Sequence, residues 1–272
     1  MTQTKIDTPF GTLALRDSGG GGKPLLLIHG NSACKEVFDA QFAAPGLSGY
    51  RLIAPDLPGH GASTDAPNPE STYTFAGYAA AIEAVLKALE VTTPAVFGWS
   101  LGGHAALEMI GRGTPVAGLM ISGTPPVAPS VDSFMSAFNI DPEAENLTAK
   151  RDFSDAEATG YALHTGGVNG QVDPHLLAMV KRTDGRAREI MFNSALTQGF
   201  IDERSVVEGL SVPFAVVNGA DDPFLQAPYF DTLTAPTLWS RGVVRVEGAG
   251  HAPFRQTPEV FNALLAEFVA SL

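Results

Sequence analysis

The chain holds one cysteine, Cys34, so no disulfide can form within it. It is also short of base, with 17 Lys and Arg against 29 Asp and Glu and a formal net charge of −12. Nucleic acid and anionic lipid both recruit clustered cationic side chains, so this balance argues against either as a partner. The acidic surplus serves solubility. No apolar run approaches the ~18 residues of a membrane span. The opening MTQTKIDTPF has no basic segment followed by an apolar one, so no signal peptide is expected. Metal motifs are missing too: neither HxH nor HExxH occurs, and zinc chemistry is not expected. The run Gly19–Gly22 lacks the Lys-Ser/Thr of a phosphate-binding loop and reads as a flexible hairpin turn. These absences leave a soluble, cytoplasmic, monomeric protein without cofactor or metal, acting on a small molecule.

What is present is globular. Of 272 residues, 44% are hydrophobic and 17% charged, enough to bury a large core. Short apolar runs recur and mostly end in Gly or Asp: LLLIHG (25–30), RLIAPD (51–56), AVFGWS (95–100), GLMISG (118–123), FAVVNG (214–219) and VVRVEG (243–248). Such runs read as strands buried on both faces, with GTLALRD as an earlier strand. Between them, residues 73–91 repeat Phe75, Tyr78, Ile82, Val85 and Leu89 at helical spacing. A last helix starts with Thr257 as N-cap and Pro258 in its first turn. Alternating strands and helices predict an α/β fold, a parallel sheet covered on both sides. Residues 127–210 break the rhythm with helical pieces only, among them SFMSAFNI, SDAEATGYALHTGG and PHLLAMVKRTDGRAREIMFNSAL. They read as a helical lid inserted into a core of residues 1–126 and 211–272, over the sheet's carboxyl edge.

Gly98-x-Ser100-x-Gly102 follows a predicted strand and opens a predicted helix. In that setting the serine is a nucleophile on a strained turn, with glycines permitting close backbone approach; a Gly-rich helix start for phosphate is the weaker alternative. A serine hydroxyl needs a base and a group that orients the base, supplied in the order Ser, acid, His. Asp222 in NGADDPF and His251 in VEGAGHAPF both follow strands and fit those roles. The neighbouring Asp221 reads as a turn or cap residue. Backbone N–H groups of Asn31, after the first parallel strand, and Leu101, after the nucleophile, are assigned to the oxyanion hole. Trp99, beside the nucleophile, is placed with the substrate-contacting residues. His29, His60 and His104 read as packing residues, while His164 and His175 read as isolated, solvated lid residues. Phe134, Met135, Phe138, Leu176, Leu177, Met191 and Phe192 are apolar lid residues from which a substrate channel could be drawn.

IHGNS, RLIAPDLPGHGASTDA, VFGWSLGGH, GLMISGTPPVA, RTDGRAREIMF, VVNGADDPF and GAGHAPFR together resemble the α/β-hydrolase-type N-acyl-homoserine lactonases, over residues from about 25 to 260. The resemblance implies an α/β-hydrolase fold, with a mostly parallel eight-stranded sheet and a helical cap inserted after its sixth strand. It implies opening of a homoserine lactone ring, with Ser100, Asp222 and His251 on the family's triad positions. It also places Asn31 and Tyr161 against the lactone. The family's acid can be Glu, and here it is Asp222 on a shorter arm. A general carboxylesterase or perhydrolase shares the triad, a ligand receptor can share the fold, and a cofactor-free oxygenase is a remote third.

Overall fold

The computed structural model describes residues 2–140, 146–197 and 199–272. Eight strands form one sheet: β1 (Thr2–Thr8), β2 (Gly11–Asp17), β3 (Pro24–Ile28), β4 (Arg51–Pro55), β5 (Ala95–Trp99), β6 (Gly118–Ser122), β7 (Phe214–Gly219) and β8 (Leu238–Val246), in the order β1-β2-β4-β3-β5-β6-β7-β8. β1 and β2 are antiparallel, as are β2 and β4, and the remaining pairs are parallel.

Side chains alternate across each strand, so an unbroken apolar run must have cover on both faces. Leu26, Ile28, Val96, Leu119, Ile121 and Val216 enter one core, beneath helices Phe75–Ala88 and Leu101–Gly111. Their neighbours Leu25, Leu27, Phe97, Met120 and Val217 enter the other, beneath helix Pro258–Ala270. Thr74 caps the first of these helices, accepting the Gly77 N–H at 2.9 Å. No helix among the described residues is long and apolar enough to cross a membrane.

Between β6 and β7 the chain forms helices Val131–Ala137, Asp155–Gly166, Pro174–Arg182, Gly185–Thr197 and Glu203–Glu208. Ser154 and Glu157 close a reciprocal capping box on the second of them.

Several local expectations change. The polar alternation of TQTKIDT hid β1, an edge strand paired along its length with β2. The Gly19–Gly22 turn is no hairpin, because β2 pairs with β4 and the turn merely leads into β3. The run 174–196 is two helices, not one. At the break, Asp184 turns to the core, giving its N–H to Gly59 O at 2.9 Å and accepting the Tyr73 hydroxyl at 2.7 Å. Thr257 makes no side-chain cap; its hydroxyl donates back to Pro253 O at 3.1 Å.

Candidate active site

Ser100 leaves the carboxyl end of β5 at φ 52° and ψ −121° and is the N-cap of helix Leu101–Gly111. A non-glycine residue at positive φ is strained by ~1–3 kcal/mol and persists only where its surroundings impose it. Here they do so through glycine. A Cβ at Gly98 would lie 2.6 Å from Gly102 O, and one at Gly102 would lie 2.1 Å from Ile28 O. Helix and strands therefore meet backbone to backbone. Thr124 holds the turn from outside, its hydroxyl donating to Ser100 O at 2.8 Å.

Parallel strands bring the other predicted residues to the same edge. His251 follows β8 and Asp222 follows β7, and His251 Nδ1 lies 2.8 Å from Asp222 Oδ2. Both side chains are buried. An ionised carboxylate only accepts, so Nδ1 is the donor in this bond and Nε2 is the nitrogen left to face the cavity. Asp222 is fixed in turn by the Phe224 N–H, which donates to Oδ1 at 2.9 Å. Its neighbour Asp221 is exposed and gives its N–H to Ala249 O at 2.9 Å. Gly123, at φ 66°, makes room for the imidazole, since a Cβ there would lie 2.7 Å from His251 Cε1. Trp99 is fully buried and its indole N–H donates to His251 O at 2.8 Å. The structure thus gives Trp99 a bond that steadies the histidine loop, as well as a place in the cavity wall.

Leu101 is the first residue of its helix, where an N–H has no intrahelical partner. Among the described residues neither the Leu101 nor the Asn31 N–H meets a backbone acceptor. Asn31 sits beyond the carboxyl end of β3, and its side chain reaches the segment between β6 and β7, Nδ2 donating to Thr148 O at 3.3 Å.

A cavity of about 470 Å³ joins these groups. Ser100, His251, Leu101, Asn31, Trp99 and Tyr161 line it, with Phe75, Phe134, Phe138, Met191 and Phe192 forming much of its apolar wall. Of the apolar lid residues singled out in the sequence, Met135 instead faces solvent, and Leu176 is buried in the core beneath the lid. Burial pushes the Tyr161 phenol up to about 12, against the opposing pull of Arg188 and then of Thr148 and Ser32, so it stays a donor at neutral pH.

The histidines sort by partner. His29 is buried, donating Nδ1–H to Gly30 O at 2.8 Å while Nε2 accepts the Leu57 N–H at 2.9 Å. His60 packs against it, with ring centroids 5.3 Å apart. His104 is more than packing. It lines the cavity, stacks on Phe75 at 4.8 Å, and sets Nδ1 2.8 and 3.0 Å from the two oxygens of buried Glu203. Glu203 Oε2 also accepts the Val127 N–H at 3.2 Å, so one carboxylate ties the start of the segment between β6 and β7 to its last helix. His164 is exposed at the cavity's edge. His175 is not isolated, because its Nε2 lies 3.7 Å from Cys34 Sγ.

Sequence reasoning also missed Arg188. This buried side chain gives Nε to Lys150 O at 2.8 Å, Nη2 to Arg151 O at 2.6 Å and Nη1 to Ser32 Oγ at 3.2 Å. Its guanidinium covers the Phe153 ring at 4.0 Å. One fork thereby fastens the segment between β6 and β7 to the loop that carries Asn31.

Three likenesses to known proteins bear on this arrangement. A solved complex of the N-acyl homoserine lactonase AidH, in mutant form with N-hexanoyl homoserine lactone, superposes with a TM-score of 0.93 at 40% identity, covering 99% of this chain and 97% of that one. A pimeloyl-[acyl-carrier protein] methyl ester esterase of Neisseria meningitidis is 30% identical over 91% of this chain and 77% of its own length. A non-heme chloroperoxidase of Streptomyces lividans is 26% identical over 92% of each. The family model that matches, over residues 25–264, is that of the alpha/beta hydrolases. An elbow serine on a mostly parallel sheet, held by the same backbone approach that the motif demands, is what that match means in physical terms: the chain belongs to the alpha/beta hydrolase family.

Proposed function

We propose that this protein is a serine hydrolase that opens the lactone ring of N-acyl homoserine lactones, with residues 127–210 acting as the lid over its site. The observation that carries the reading is that Ser100 and His251 share one cavity with the polar Asn31 and Tyr161 and with an apolar aromatic wall. That arrangement suits a small polar ring at the nucleophile and an acyl tail among Phe134, Phe138, Met191 and Phe192. The lactonase likeness over nearly the whole chain supports it.

Under this reading Ser100 Oγ attacks the lactone carbonyl carbon while His251 Nε2 takes its proton. Asp222 holds the ring in the Nδ1–H tautomer and steadies the imidazolium. The N–H groups of Asn31 and Leu101 hold the oxyanion, at ~2.7–4 kcal/mol per donor. Collapse breaks the bond to the ring oxygen, which receives the proton back from His251. The freed hydroxyl stays tethered to the acyl-enzyme, so water must reach the ester before the ring closes again. Water activated by His251 then releases N-acyl homoserine and restores Ser100.

A plain carboxylesterase is the second reading, favoured by the methyl ester esterase among the relatives. The two separate on substrate. The purified protein is given N-hexanoyl homoserine lactone and, separately, p-nitrophenyl esters, and products are followed by mass spectrometry. The lactone is expected to gain one water. Cleavage of the esters with the lactone untouched would overturn the lactonase reading and leave the esterase.

A further inference from the structure

Away from the cavity, Cys34, Glu36 and His175 bring one sulfur, one oxygen and one nitrogen within 4.8 Å of one another. Cys34 and Glu36 lie just after β3, whereas His175 sits on the lid helix Pro174–Arg182. Sγ lies 3.7 Å from Nε2, and Nε2 lies 3.9 Å from Glu36 Oε2. A sulfur and a nitrogen on one tetrahedral zinc are ~3.5 Å apart, given bonds of about 2.3 and 2.0–2.1 Å. The Sγ–Nε2 spacing is within a few tenths of an ångström of that value, and Nε2 and Oε2 must close by about half an ångström, a movement open to the half-exposed His175 ring. We infer that these three side chains form a binding site for a borderline-soft divalent cation of the zinc class, joining the lid to the core.

The surroundings suit such an ion. Lys35 Nζ holds the other Glu36 oxygen, Oε1, at 2.7 Å and also binds Asp56 at 2.8 Å, while the Glu36 carboxylate accepts the Cys34 thiol proton, a bond that the ion would replace. The His175 side chain is 54% exposed and that of Glu36 25%, giving the cation a path inward and water a place as fourth ligand. Cys34 closes the rear of the site and is fully buried. A mixed S, N, O set selects zinc over magnesium or calcium, which require oxygen shells. On binding, the Cys34 S–H bond breaks, the proton passes to solvent and a sulfur–metal bond takes its place. None of the three lines the cavity. The ion therefore acts on how the lid is attached, three residues from Asn31, and takes no part in attack at Ser100.

Cobalt(II) serves as the probe, added to the full chain purified free of metal. One equivalent is expected to bind, giving a thiolate-to-cobalt charge-transfer band and intense tetrahedral visible bands, both displaced by zinc. Cys34→Ser removes the charge-transfer band. His175→Ala, at a half-exposed position, weakens binding by at least ~10-fold, the loss that even an outer-shell partner's removal can cause. Should Cys34→Ser fail to fold, His175→Ala and Glu36→Gln carry the test alone. No charge-transfer band in the unaltered protein overturns the site, and so does a band whose affinity His175→Ala leaves unchanged, since the cysteine would then bind cobalt without the lid.

Discussion

At Ser100 the strain of a positive φ serves presentation: the side chain stands clear of strand and helix while its own peptide is fixed at both ends. Alanine shares that backbone penalty, so Ser100→Ala should melt like the parent and yet lose roughly 10⁶-fold in kcat, as expected when a nucleophile that works as one unit with its base is removed. The paired aspartates give a sharper test of the proposed roles. Asp222 holds His251 Nδ1, so Asp222→Asn should favour the wrong tautomer and cost ~10⁴-fold in kcat. Asp221 is exposed and, among the described residues, is held through its backbone N–H to Ala249 O, so Asp221→Asn should stay near the parent rate. Equal losses in the two variants would remove Asp222 from its role. These positions were legible because each follows an apolar run, and strand ends on one sheet edge meet in space. Glu203 and Arg188 were not. Charged residues in a polar lid stretch read as solvated, and only their tertiary partners, His104 and the carbonyls of residues 150 and 151, make them structural.

Elements carry their own prediction, through glycines that look alike in sequence. A Cβ at Gly102 would strike the carbonyl of Ile28, which cannot yield without moving β3 from helix Leu101–Gly111. Gly102→Ala should cost at least ~3 kcal/mol or abolish soluble expression, beyond the usual range for overpacking because the obstacle is backbone. Gly160 lies inside helix Asp155–Gly166, and a Cβ there meets nothing within 4 Å. Gly160→Ala should stabilise by ~0.5–1 kcal/mol, read as a thermal midpoint higher by ~1–4 °C. A midpoint that falls in Gly160→Ala, or holds in Gly102→Ala, would contradict this account of the packing. Elements were legible to the degree that burial was two-sided. The inner strands are unbroken apolar runs, whereas β1 alternates polar residues like any solvated edge, and the split at residues 183–184 depends on Asp184 finding Tyr73 and Gly59.

Across the whole molecule, two buried histidines beside the loop that carries Asn31 bear on how the fold meets acid. Burial lowers His29 to about 4, and burial together with the neighbouring His29 lowers His60 to about 3, from an ordinary value of 6.5. Both are neutral in the folded protein near pH 7, and an unfolded chain binds their protons first. Their contribution is therefore complete above pH ~6.5 and shrinks as pH falls through that unfolded-state value, with the loss ending only below about 4 and 3. Between pH 7 and pH 5 each should remove ~2 kcal/mol of folding stability, since each pKa unit is worth 1.36 kcal/mol. Carboxylates titrate mainly below that window, which makes it a clean one for histidine. Urea unfolding at pH 7 and pH 5 measures the difference directly. Roughly 4 kcal/mol should be lost by the unaltered protein and about half of that by His60→Asn, which has one buried imidazole fewer to charge. Stability that stays level from pH 7 to pH 5 would mean that the buried pair takes up protons without unfolding, against their burial and, at His29, against the Leu57 N–H that already occupies Nε2.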